Sequence, residues 1–140
     1  LDGWTSHYDQ TYSHATTWQF NLVGVPSSAK WIFVGARDLG GNIAIGAVGA
    51  RDKVLQDTLR GRPHEDNGVA WYLTPGVSFG FAPAGCGVNQ NDADDLEVQG
   101  DCRLSWHLDG LSGGYRAGSA QDLALWNDND TEWRKLLYYK

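Results

Sequence analysis

The sequence predicts an all-β fold, an antiparallel β-sandwich or small barrel of about nine or ten short strands. Apolar residues alternate with period two in several segments, and turn residues recur at short intervals between them. The chain is also rich in glycine and aromatic residues, with 18 glycines, 7 tryptophans and no methionine, a composition typical of strands and tight turns. With 140 residues and 41% hydrophobic content, residues 1–140 are expected to form one domain around one core.

The first predicted strand covers residues 17–23, where Trp18, Phe20 and Leu22 alternate with polar residues. The other predicted strands share short length and β-branched or aromatic content. They are residues 30–36, 43–48, 53–58, 69–73, 77–82, 96–99, 102–108, 114–117 and 132–139. Gly-rich and Pro-Gly turns join 30–36 to 43–48 and 69–73 to 77–82, so each pair is predicted to form a hairpin. Residues 59–67 and 83–95 are predicted loops.

The charge of the chain argues against nucleic acid as a partner. The net charge is −6 and the isoelectric point is near 4.9, so phosphate backbones would be repelled. No apolar run reaches the roughly 18 residues that a membrane-spanning helix needs, and we therefore expect no membrane span.

Cys86 and Cys102 are predicted to form one disulfide, which would stabilise the fold by roughly 3 kcal/mol through loop closure. The alternative is two buried free thiols. Asn129 begins an Asn-Asp-Thr sequon and is a predicted glycosylation site if the chain passes through a secretory pathway. Both features favour a secreted or extracellular protein.

The C-terminal third combines flat aromatic groups with directional polar groups. Sugar rings present apolar C–H faces and hydroxyl edges, and their binding sites need both kinds of group. This density predicts a ligand-binding site formed by Tyr115, Arg116, Asn127, Asp128 and Trp133. The alternative is that Trp133 belongs to the core of a terminal strand and that residues 127–130 form a turn.

The Gly-Gly-Tyr-Arg motif at residues 113–116 and the ending N-D-T-E-W-R-K-L-L-Y-Y-K at residues 129–140 resemble the last block of small secreted lectin-like β domains. This resemblance covers about the last quarter of the chain. It implies secretion and recognition of glycans or glycoproteins, with the same five residues as the positions of interest. A lectin would gain avidity by forming a homo-oligomer.

Catalytic and metal-binding motifs are weak in this sequence. His64 with Glu65, or His107 with Asp109, could act as acid and base in a small secreted hydrolase, but no nucleophile elbow or zinc-protease motif accompanies them. Residues 87–95 carry acidic and amide side chains that could bind calcium, yet their spacing is not that of an EF-hand, and a solvated acidic loop is favoured. We therefore expect a non-catalytic protein without metal or cofactor. A self-assembling structural protein is the second hypothesis.

Overall fold

The computed structural model describes residues 1–58, 62–85, 103–110, 114–117 and 130–140, and only the backbone of residues 114–116. These residues contain nine strands, a π-helical turn at Trp18–Leu22 and one short helix, α1, at Arg51–Val54. The strands are β1 (Thr5–Thr11), β2 (Trp31–Arg37), β3 (Ile43–Ala50), β4 (His64–Asp66), β5 (Val69–Thr74), β6 (Ser78–Pro83), β7 (Leu104–His107), β8 (Gly114–Ala117) and β9 (Arg134–Tyr139).

The strands form two antiparallel sheets, so the predicted all-β sandwich is confirmed. The order is β1-β9-β2-β3 in the four-stranded sheet and β4-β5-β6-β7-β8 in the five-stranded sheet. The terminal strands β1 and β9 pair with each other, and β9 also pairs with β2. Segments from the two ends of the chain therefore lie side by side in one sheet.

Both predicted hairpins are present, formed by β2 with β3 and by β5 with β6. A further hairpin joins β4 to β5 through Asn67 and Gly68, whose φ angles are 53° and 74°. Two successive residues with positive φ favour the turn that matches strand twist, which explains the Asn-Gly pair. The predicted loop at residues 59–67 thus contains a short strand.

The strand predicted at residues 17–23 is wrong, because this segment forms the π-helical turn. The side chain of Asn21 accepts hydrogen bonds from the backbone N–H of Thr17 at 2.7 Å and from its hydroxyl at 3.1 Å. Such local bonds offer the backbone an alternative to a strand ladder. The alternation of apolar residues is therefore not a strand pattern here: Leu22 is fully buried, whereas Phe20 is 79% exposed.

The strand predicted at residues 53–58 is also wrong, because its first residues belong to the helical turn α1, which begins at Arg51 and ends at Val54. The N–H of Leu55 bonds to the carbonyl of Arg51 at 3.0 Å and closes the helical turn. In contrast, β1 was not among the predicted strands. Its sequence, TSHYDQT, is mostly polar, and only Tyr8 is buried.

The core lies between the two sheets and is dominated by aromatic and branched side chains. The five-stranded sheet contributes Trp71 and Trp106, both fully buried, and the four-stranded sheet contributes Ile32 and Val34. Gly49 of β3 makes their close packing possible. A Cβ atom at Gly49 would lie 2.7 Å from Nε1 of Trp71 and 2.7 Å from a methyl group of Val54. The absence of a side chain at this position therefore lets Trp71 and Val54 pack directly against the backbone of β3.

Replacing Gly49 with alanine is expected to lower the free energy of unfolding by about 1–3 kcal/mol, because the added methyl group overlaps an indole ring in a closed core. The measurement is urea unfolding followed by tryptophan fluorescence. Gly110→Ala is the matched control, since no atom lies within 4 Å of a Cβ at that position. Equal stability of both variants would contradict the inferred contact.

Candidate functional site

The outer face of the four-stranded sheet carries an open cluster of aromatic residues. Successive residues of a strand point to opposite faces, so the neighbours of core residues Ile32 and Val34 face outward. Register pairs Phe33 of β2 with Tyr138 of β9, and Trp31 lies on the same face as Phe33. Trp4, which precedes β1, completes the cluster.

Phe33 contacts two of the other aromatic rings of this cluster. The ring centroid of Phe33 lies 6.5 Å from that of Trp4 and 6.2 Å from that of Tyr138. Both pairs have the edge-to-face geometry that aromatic rings prefer. Phe33 is 7% exposed, Trp4 and Tyr138 are half-buried, and Trp31 is 44% exposed. Trp4, Trp31, Phe33 and Tyr138 are called the aromatic face below.

Two glycines explain how Phe33 can lie flat on the sheet. Cβ atoms at Gly35 and Gly46 would lie 2.8 Å and 2.6 Å from the ring of Phe33. Any side chain at these positions would lift the ring, so the two glycines support it from below. The position of the Phe33 ring in the aromatic face therefore depends on these two glycines.

An ion-pair group lies further along the same face. The carboxylate of Asp9 accepts a hydrogen bond from Nε of Arg134 and lies 3.5 Å from the guanidinium of Arg37, while a second nitrogen of Arg134 donates to the Asp9 carbonyl at 2.9 Å. Two guanidinium cations and one carboxylate leave one net positive charge. Each guanidinium carries five N–H donors, and the contacts with Asp9 leave several of them for a bound molecule.

The residues predicted from sequence are not all brought together. Trp133 is half-buried and packs against the core, its N–H donates to Oδ1 of Asp130 at 2.6 Å, and its carbonyl accepts a bond from Tyr12. Tyr115 and Arg116 lie on β8, in the other sheet, where Arg116 pairs with Ser105. The remaining positions lie outside the described residues: Asn127 and Asp128, the predicted glycosylation site Asn129, and the cysteines Cys86 and Cys102.

The outward-facing residues of β5, β6 and β7 include several buried polar side chains. Ser105 is fully buried and Thr74 is 7% exposed, and neither hydroxyl has a hydrogen-bond partner. Tyr72 and Ser78 are buried on the same face. Among the described residues, the outer face of the four-stranded sheet is therefore the one that carries exposed aromatic side chains.

Three of the four acid–base candidates make hydrogen bonds to backbone groups, namely His64, Glu65 and Asp109. His64 contacts the carbonyl of Asp57 at 3.3 Å, and Glu65 accepts a bond from the N–H of Gly85 at 3.3 Å. Asp109, with φ of 57°, accepts a bond from the N–H of Trp18 at the start of the π-helical turn. In the described part of the chain, no group of three His, Cys, Asp or Glu side chains could hold a metal ion. The acidic loop at residues 87–95 lies outside it.

Comparison with protein-family models, curated proteins and solved structures finds no match to this chain. Across the described ranges, no helix has both the length and the apolar character needed to cross a membrane.

A buried lysine is a second polar feature that the sequence reasoning missed. Lys135 of β9 is fully buried, and its amine donates to the carbonyl of His14 and to the hydroxyl of Thr16 at 2.7 Å. The amine also lies 5.9 Å from the ring centroids of both Tyr8 and Trp106. Burial lowers the pKa of Lys135 from 10.5 to about 7, because an ammonium group loses its hydration in the core.

Two tyrosines next to this amine remain protonated. The Tyr8 hydroxyl bonds to that of Thr16 at 2.9 Å, and the Tyr12 hydroxyl accepts a bond from Nε1 of Trp106 at 3.3 Å. Burial raises the pKa of both tyrosines, so neither supplies an anion for Lys135 near neutral pH. The sequence pattern that could have predicted this burial is alternation along the strand, since Lys135 lies two residues before the core residue Leu137 and therefore on the same face.

The lowered pKa of Lys135 predicts that stability rises with pH between about 7 and 10.5. In that window the unfolded chain binds more protons than the folded chain, so the free energy of unfolding increases, by at most about 1.4 kcal/mol per pH unit for one proton. Chemical denaturation at a series of pH values tests this. The series stays below about pH 10, because the tyrosines of the unfolded chain lose protons near that pH. Lys135→Met should reduce the slope, and an equal slope in both proteins would contradict the assignment.

Proposed function

We propose that this chain is a non-catalytic carbohydrate-binding protein that holds glycans on the aromatic face of its four-stranded sheet. The observation that carries this proposal is the combination of partly exposed aromatic rings with the ion-pair group of Arg37, Asp9 and Arg134. Sugars need an apolar surface for their C–H faces and directional donors and acceptors for their hydroxyl groups. Both kinds of group are available on this one face.

The distance between the two groups favours an oligosaccharide over a single sugar. Arg37 lies four residues after Phe33 along β2, which at roughly 3.3 Å per residue is about 13 Å. A short oligosaccharide spans this distance when one ring stacks on the aromatic face. The net positive charge of the ion-pair group would also favour a glycan that carries a carboxylate at its other end.

The proposal includes secretion, a disulfide between Cys86 and Cys102, and multivalent binding through a homo-oligomer. The C-terminal cluster of Tyr115, Arg116, Asn127, Asp128 and Trp133 is retained as the alternative glycan site. Substitution of the aromatic face and of this cluster separates the two locations.

Self-assembly through strand edges is the less favoured function. β3 is an uncharged edge strand, and such edges can pair with another chain. However, Asp66 accepts a bond from the N–H of Ala50 at 2.6 Å, and Asn67 donates to the carbonyl of Val48 at 3.1 Å. Because these side chains occupy the outward backbone groups at the end of β3, continuous pairing along this edge is blocked.

A glycan array with the purified protein tests the proposed function, and titration calorimetry then measures affinity for the glycans that bind. Trp31→Ala is expected to weaken binding about tenfold, near 1.4 kcal/mol, by removing an exposed stacking surface. Phe20→Ala is the matched control, because Phe20 is an exposed aromatic residue on the π-helical turn and is not one of the four residues of the aromatic face.

Two results would count against this function or its location. Absence of binding to any glycan, with or without calcium, would end the carbohydrate proposal. Binding that survives Trp31→Ala and Trp4→Ala but is lost in Asn127→Ala would move the site to the C-terminal cluster.

A further inference from the structure

Two arginines lie directly opposite each other at the polar end of the outer face. Register pairs Arg37 of β2 with Arg134 of β9, and Arg134 pairs in turn with Thr11 of β1, so these residues form one row across three strands. Like charges on directly opposed residues of two strands lower stability. The row therefore places two guanidinium groups side by side, at a cost to the fold, on a chain whose net charge is −6.

One carboxylate contacts both guanidinium groups. It belongs to Asp9, and no other carboxylate among the described residues forms an ion pair with either arginine. Of the acidic residues close to them in sequence, Asp38 and Asp130 bond to backbone N–H groups of turns, at 2.9 Å and 2.6 Å, and Glu132 is exposed. The contact of two cations with one anion leaves a single positive charge, which matches the charge of one further carboxylate.

Both guanidinium groups keep N–H donors for a bound molecule. Each carries five donors, and Asp9 accepts from two donors of Arg134 and lies 3.5 Å from one nitrogen of Arg37. The two side chains are 29% and 38% exposed, so a molecule on the outer face can reach them. At the end of the row, the hydroxyl of Thr11 bonds to that of Ser13 at 3.0 Å and has capacity for a second bond.

We propose that Arg37 and Arg134 bind the carboxylate of an acidic sugar, so that the preferred glycan is an oligosaccharide with a uronic acid at one end. This inference rests on the proposed function and names the class of glycan. A planar carboxylate accepts two parallel bonds from a guanidinium group, which a neutral hydroxyl group cannot do. The Thr11 hydroxyl then bonds to the same sugar, while a neutral ring of the oligosaccharide stacks on the aromatic face.

NMR titration of the intact chain at about pH 7 tests this inference with three probes: methyl glucuronide, methyl glucoside and acetate. The signals followed are the side-chain Nε–H groups of Arg37 and Arg134. Methyl glucuronide should bind there about tenfold more tightly than methyl glucoside, because charge-assisted hydrogen bonds are stronger than neutral ones. It should also bind more tightly than acetate, which has no hydroxyl group for Thr11. Salt at about 0.5 M should weaken binding of methyl glucuronide more than that of methyl glucoside.

Two variants assign the preference to this pair. Arg37→Gln should bind methyl glucuronide and methyl glucoside equally, and it leaves Asp9 bonded to Arg134. Arg62→Gln is the matched control, because Arg62 is exposed, precedes β4 of the other sheet and carries the same charge. It should keep the preference of the parent. Melting temperatures of both variants confirm that each is folded.

The outcomes separate this inference from the proposed function. Equal binding of methyl glucuronide and methyl glucoside by the parent would overturn the acidic-sugar site, as would equal binding of methyl glucuronide and acetate, or loss of the preference in Arg62→Gln. The indole N–H signal of Trp31 is recorded in the same titrations and reports stacking on the aromatic face. A shift of that signal with methyl glucoside, without any preference at the arginines, would leave the carbohydrate proposal standing and remove this inference alone.

Discussion

Burial of the Lys135 amine is the constraint on which the connection between the two sheets through residues 12–16 depends. An amine in an apolar core is costly unless oxygen atoms surround it, and here the loop at residues 12–16 supplies two of them, the carbonyl of His14 and the hydroxyl of Thr16. The same loop bridges the sheets, because Thr16 pairs with Leu108 and its carbonyl accepts a bond from Asp109. Asp109 in turn binds the first residue of the π-helical turn. One polar network therefore fixes the connection between β1, β9 and the end of β7.

The strands that could be predicted from sequence are those with local signals. The hairpin of β5 and β6 has aromatic alternation and a Pro-Gly turn, and both of its strands are found close to their predicted ends. β1 has no such signal, since its pairing with β9 joins residues at opposite ends of the chain. The π-helical turn had a misleading signal, because the hydrogen bonds of Asn21 decide its backbone and they depend on side-chain geometry.

The candidate site was less accessible to sequence reasoning than the fold. Density of aromatic and polar residues directed attention to the C-terminal third, where neighbours in sequence were assumed to be neighbours in space. The aromatic face instead assembles Trp4, Phe33 and Tyr138 through the pairing of β9 with both β1 and β2. Asp9 and Arg134, whose contact anchors the polar end of this face, are 125 positions apart. Only strand order, which sequence did not reveal, brings these residues together.

Alternation along β9 lets one strand serve the surface and the core at once. Arg134 and Tyr138 face outward to the ion-pair group and the aromatic face, whereas Lys135 and Leu137 face the core. β9 lies between β1 and β2 and pairs with both through ladder hydrogen bonds. The ring of Phe33 lies over Gly35 of β2 and Gly46 of β3, and Phe33 pairs with Tyr138 near the other end of β9. The ion-pair group and the buried amine are therefore held by adjacent residues of one strand, Arg134 and Lys135, which face opposite sides of the sheet.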